Sequence, residues 1–186
     1  MRAAANGFRA VILPAALIVA ASACGDVRSA PTEDTSPEQP LAFMHNVHVQ
    51  DNRIPCAYCH FSTNTSEDAG IPAVETCMGC HRFVQGTSPE FQQQIQILMG
   101  FWADSIAIPW ARVYSVPEFV QFTHQPHIRA GVTCATCHGD VAAMARVEKV
   151  TPLTMGWCVN CHRDANANGV KGRTVYASTD CSTCHY

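Results

Sequence analysis

The sequence is short of charge, and positive charge is not in excess: 12 of its 186 residues are Lys or Arg and 15 are Asp or Glu, a formal net charge of −3. A basic surface for nucleic acid is therefore excluded. A long hydrophobic run is missing too. Ala10 to Ala20 is apolar but interrupted by Pro14, and it is shorter than the roughly 20 residues that cross a bilayer. Also absent is the even set of paired thiols that structural zinc demands. What the chain has in abundance is cysteine and histidine, 11 and 9 residues.

Ten of the cysteines fall into five copies of one pattern: Cys56-Ala57-Tyr58-Cys59-His60, Cys77-Met78-Gly79-Cys80-His81, Cys134-Ala135-Thr136-Cys137-His138, Cys158-Val159-Asn160-Cys161-His162 and Cys181-Ser182-Thr183-Cys184-His185. Zinc takes four ligands, so its Cys-x-x-Cys pairs come in twos and need no trailing His. Here the pairs number five and every one carries that His. A thioredoxin-like redox pair stands singly in a βαβ setting, and a disulfide framework has no reason to repeat one spacing with one following residue. The reading that accounts for all five is covalent haem c attachment. Two thiols form thioethers to the haem vinyl groups, and the next residue, His60, His81, His138, His162 or His185, delivers an imidazole to the iron.

Five covalently bound haems in so short a chain are themselves large apolar bodies. The expected fold is mainly α with much irregular chain, wrapped around a haem-dominated core.

Residues 1–23 read as an export signal: Arg2 and Arg9 flank the apolar stretch, and Ala21-Ser22-Ala23 supplies small residues before Cys24. Cys24 is the one cysteine outside the motifs, and it stands where a bacterial lipoprotein is cut and acylated, although Ala21 replaces the usual Leu of a lipobox. Residues 24–40 are then a lipid anchor and a flexible linker, rich in Pro, Ser, Thr and acids. Fully extended, Arg28 to Pro40 reaches about 40 Å. The location implied is the periplasmic face of the inner membrane. Cleavage before Cys24 removes two arginines, leaving ten basic and fifteen acidic residues and a charge of −5.

Successive motifs are separated by 21, 57, 24 and 23 residues, first cysteine to first cysteine. The long interval divides the chain into a two-haem module over 41–88, a connection over 89–121 and a three-haem module over 122–186. An internal repeat supports this division. Phe43-Met44-His45-Asn46-Val47-His48 precedes the first motif and Phe122-Thr123-His124-Gln125-Pro126-His127 the third, both of the form Phe-x-His-x-x-His. In the connection, Ser88 as N-cap and Pro89 as first helical residue open a helix. Phe91, Ile95, Leu98, Met99 and Trp102 form its apolar face, which is expected to pack between the modules.

If all five irons are six-coordinate, five distal ligands are needed. The four histidines outside the motifs, His45, His48, His124 and His127, form the two matched pairs, and residues three apart can project towards two different haems. One iron then lacks a histidine, and a methionine is the natural substitute. Met144 and Met155 are the candidates, Met144 having more room to cross to the far face of the fourth haem.

The upstream Phe-x-His-x-x-His element resembles that of the cytochrome c3 and c7 families, where the first His serves the adjacent haem and the second another. That resemblance implies His45 on the first haem, His124 on the third, His48 on the second and His127 on the fifth, leaving the fourth without a histidine. Over residues 41–186 the chain is also similar to the pentahaem cytochrome subunit of alternative complex III. The similarity lies in Ile108-Pro109-Trp110-Ala111-Arg112-Val113, in Val116 to His124, in Gly131-Val132-Thr133-Cys134 and in Leu153 to Arg163. It implies an electron-transfer subunit, not an enzyme in itself, partnered by iron-sulfur and quinol-oxidising membrane subunits and by a monohaem cytochrome c or terminal oxidase. The rival readings are a multihaem reductase with one open iron and a protomer of an extracellular haem filament. The lysine-containing attachment motif of pentahaem nitrite reductases is absent.

Overall fold

Short helices carry the attachment motifs. In a computed structural model describing residues 35–186, α1 (Cys56–Cys59), α2 (Val74–His81), α5 (Cys134–His138), α6 (Met155–Asn168) and α7 (Cys181–Cys184) each hold one. Every one is entered from an extended residue, Pro55, Ala73, Thr133, Thr154 or Asp180. A helical turn puts residues three apart on one face, so both thiols of each pair point the same way. The signal segment, Cys24 and the linker up to residue 34 lie outside the described residues.

The connection forms helix α3, Pro89–Ala103, with Ser88 Oγ accepting the Phe91 N–H at 3.3 Å and Pro89 in the first turn. It packs on α2. Its buried residues are Ile95 and Leu98, and Leu98 joins Leu41, Val74, Met78 and Ile108 in one small aliphatic cluster. The helix expected between modules is thus anchored to the first of them. Met99 remains 36% exposed, which narrows the apolar face drawn from the sequence.

Helix α4, His124–Ala130, carries the second histidine pair and stops at Gly131, whose φ of 96° suits glycine alone. The matching first pair lies at a π-helical turn, Asn46–Asp51, which packs on a 3₁₀ turn, Val141–Ala143. No strand forms among the described residues; pairing is confined to isolated bridges at Val120–His185 and Val170–Arg173. The architecture is the expected one, helical with much irregular chain.

Only six hydrophobic residues are buried among those described, while Phe61, Phe83, Phe119, Met155 and Tyr176 stand more than half exposed. A polypeptide with so small a core cannot offset its own chain entropy by burial. Apolar side chains left open around the motifs are surfaces that suit packing against porphyrin.

The end of the expected linker is not free chain. The Lys149 N–H donates to Thr35 O at 2.6 Å, Ser36 Oγ donates to Val147 O at 3.0 Å, and the Gln39 amide both donates to and accepts from the Ala111 backbone at 2.9 Å. Residues 35–40 are tied down by partners far along the chain, which composition does not reveal. The two halves also interlock: Asn46 N donates to Met144 O at 3.0 Å, and α4 packs on the 3₁₀ turn Phe61–Asn64 that follows the first motif.

Candidate haem-ligand geometry

All ten motif cysteines are free thiols. Burial raises the pKa of Cys59, Cys77, Cys137 and Cys158, and of Cys134, which the nearby Cys56 raises further. Among the described residues no group of three or more His, Cys, Asp or Glu converges as a metal-ion site. The geometry therefore gives no support to structural zinc.

The histidines are oriented from the backbone. Nδ1 of His60 donates to Gly70 O (2.8 Å), of His81 to Val84 O (3.1 Å), of His162 to Ser178 O (2.6 Å) and of His185 to Phe119 O (3.3 Å). Outside the motifs, His48 donates to Met44 O (2.8 Å), His124 to Glu67 O (3.2 Å) and His127 to Thr123 O (2.8 Å). A carbonyl can only accept, so the proton sits on Nδ1 in each ring and the Nε2 lone pair is left for a metal.

Three of the non-motif rings face motif rings. His48 and His81 have centroids 6.0 Å apart, His124 and His138 6.4 Å, and His127 and His162 6.0 Å. An imidazole–metal bond is about 2.0 Å and the ring centre lies about 1.1 Å behind its nitrogen, so one iron between two such rings sets them about 6.2 Å apart. Spacing alone also fits ordinary ring contact. In five of these six rings, those of His48, His81, His124, His127 and His162, the Nδ1 bond to a carbonyl also leaves Nε2 unprotonated. His45 sits near His60 and His48; burial first, then their charges, pushes its pKa down to about 4, which keeps the ring neutral. Its Nδ1 and Asn46 Oδ1 are buried without a hydrogen-bond partner. Burial likewise lowers the pKa of His127 and His138.

His127 meets the ring of His162 of the fourth motif, where the family resemblance implies the fifth haem. The reason is local: His124 and His127 lie one turn apart in α4, so their rings reach adjacent sites. Met144 is correspondingly elsewhere. Its carbonyl accepts from Asn46, and its terminal methyl lies against Gly139, beside the third motif. His185 stacks on Phe119 at 5.8 Å, with Gln121 N donating to Cys184 O at 2.8 Å. Met155 opens α6 and is 68% exposed.

The structure adds a function for the repeat's phenylalanines that spacing did not suggest. Phe43 stacks on His48 (4.3 Å) and meets His45 edge-on (4.8 Å, 86°); Phe122 lies over His127 (4.9 Å) and meets His124 edge-on (4.9 Å, 82°). Each ring braces two histidines in the same way. Tyr114 packs on His138 at 4.5 Å while its hydroxyl donates to Glu148 O and accepts from Val150 N. Arg82, which directly follows the second motif, lies over the Trp102 ring at 5.3 Å.

The family of cytochrome c7 and related cytochrome c matches residues 120–186. Over 168 residues the chain is 29% identical to the multihaem cytochrome c subunit of menaquinone reductase from Nitratidesulfovibrio vulgaris, an alignment spanning 80% of this chain and 77% of that one. With the motifs and the ring geometry, these similarities support a multihaem cytochrome with covalently bound haem c, of the kind that transfers electrons.

Proposed function

We propose that this chain is a pentahaem c-type cytochrome that carries electrons as a subunit of a quinol-linked respiratory complex. The observation that carries the reading is the set of facing imidazoles at the second, third and fourth motifs, with His45 beside His60 at the first. Bound haem supplies a one-electron carrier at each site. The chain's part is to hold and orient. Cys56 and Cys59, Cys77 and Cys80, Cys134 and Cys137, Cys158 and Cys161, and Cys181 and Cys184 are the attachment thiols; His60, His81, His138, His162 and His185 are the proximal ligands. His45, His48, His124 and His127 bind opposite the first, second, third and fourth of these.

The sites adjoin in an order that is not the sequence order. His45 and His48 share one element, so the first and second are neighbours; Cys56 meets Cys134, joining the first to the third. His124 and His127 join the third to the fourth, and the hydrogen bonds from His162 and Asn166 to residues 177–178 join the fourth to the fifth. A line running second, first, third, fourth, fifth suits conduction from one partner to another. We assign residues 41–88 and 122–186 to two-haem and three-haem modules around the 89–121 connection. Residues 1–23 serve export, and acylated Cys24 holds the chain at the periplasmic face of the membrane.

The partners that fit are an iron-sulfur subunit and polytopic quinol-oxidising subunits on one side, and a monohaem cytochrome c or terminal oxidase on the other, as in alternative complex III. The relative's name, menaquinone reductase, favours a second reading in which the same line carries electrons towards the quinone. Isolation of the tagged chain from its native membranes tests the proposal. Five covalent haem masses, co-purifying iron-sulfur and polytopic subunits, and haem reduction by added quinol are expected. A chain with fewer haems, or one recovered alone, overturns it; reduction of quinone from reduced haem, without the reverse, establishes the second reading.

A further inference from the structure

The fifth site is the odd one. Four histidines outside the motifs stand at the first four sites, and His185 faces no second imidazole among the described residues. The side on which His185 itself is held is fixed: its Nδ1 donates to Phe119 O, it bridges to Val120, and Cys184 O accepts from Gln121. A ligand for the opposite side has to come from another element.

Helix α6 is that element. The Asn166 amide exchanges two 2.8 Å hydrogen bonds with the Ala177 backbone, and His162, one turn earlier in α6, bonds Ser178. As the C-terminal segment advances it therefore runs back along α6 towards the helix start, and α7 follows within three residues. Burial first, then the Cys184 thiol of α7, raises the pKa of Cys158. Met155 is three residues before Cys158, on the same face, held in the first turn by Thr154 Oγ1, which accepts the Trp157 N–H. Its long, unbranched side chain is 68% exposed.

The other described methionines are committed. Met78 is 1% exposed in the aliphatic cluster, Met44 belongs to the first histidine element, Met99 lies on α3, and Met144 packs against Gly139 beside the third motif. Resting on the pentahaem reading, we propose that the thioether sulfur of Met155 is the sixth ligand of the iron held by Cys181, Cys184 and His185. A thioether is a soft, neutral donor that favours ferrous iron relative to a second imidazole. The terminal site of the line is then its highest-potential one.

The test uses the full chain matured with haem, as wild type, Met155→Ala, Met155→His and Met144→Ala, with covalent haem masses measured on each. Expected of wild type are a thioether-to-ferric charge-transfer band, one potential step above the rest and no carbon monoxide binding. Met155→Ala is expected to lose the band and bind one carbon monoxide per reduced chain. Met155→His is expected to stay low-spin, bind none and lose the high step, while Met144→Ala matches wild type. Carbon monoxide binding by the wild type, an unchanged band in Met155→Ala, or loss of the band in Met144→Ala overturns the assignment. Fewer than five haem masses overturns the pentahaem reading instead, so the two failures are separable.

Discussion

His127→Ala distinguishes the arrangement found here from the one that the family resemblance implied. The ring removed stands 6.0 Å from His162, centre to centre, so under the proposed pairing the change empties one axial position at the fourth site. The fold should survive it. Alanine is a good helix former in α4, and the His127–Thr123 hydrogen bond given up is worth about 1 kcal/mol. Reduced His127→Ala is therefore expected to retain all its covalent haem and to bind one carbon monoxide per chain, with added imidazole restoring the low-spin spectrum. The decisive step is to combine it with Met155→Ala. Two different irons are opened, so carbon monoxide binding rises to two per chain. A double variant that still binds one would place His127 and Met155 at the same iron, and the pairing of His127 with His162 would be wrong.

Two further predictions concern the scaffold. Leu98, 3% exposed in a cluster of five, has little around it that can collapse into a void, so Leu98→Ala should lower stability by about 2–5 kcal/mol in denaturant unfolding; a loss below about 1 kcal/mol would mean the aliphatic cluster contributes little. Ser88→Ala removes the acceptor for Phe91 N–H and should cost about 1 kcal/mol, with faster amide exchange in the first turn of α3 and unchanged haem spectra; unaltered exchange there would refute the cap.

Much of the architecture was legible because it is written locally. A turn that spaces two thiols and a histidine needs only five residues, and Ser88-Pro89 announces a helix start through its own side chain and ring. The matched Phe-x-His-x-x-His elements were visible for the same reason. What stayed hidden depends on distant partners. Ser36 bonds Val147 and Gln39 bonds Ala111, 111 and 72 residues away, so a stretch with linker composition ends as fixed chain. Likewise a three-residue spacing says that His124 and His127 share a face, but which motif meets that face is decided by how α4 lies against α6 and the 3₁₀ turn. Helix α3 has an apolar stripe that any neighbour could cover; only packing shows that α2 covers it.

In the proposed reading, the phenylalanine that braces two imidazoles at once makes each such element a clip serving two metal centres. Clips of this kind add sites in twos. A chain that grows by repeating one can reach two or four with the same six residues, but a fifth obliges it to find a donor elsewhere, of another chemical type and with no duplicate to copy. The odd centre is thereby released from the uniformity of the other four, and it is the place where a change of one residue can retune the molecule without disturbing either clip.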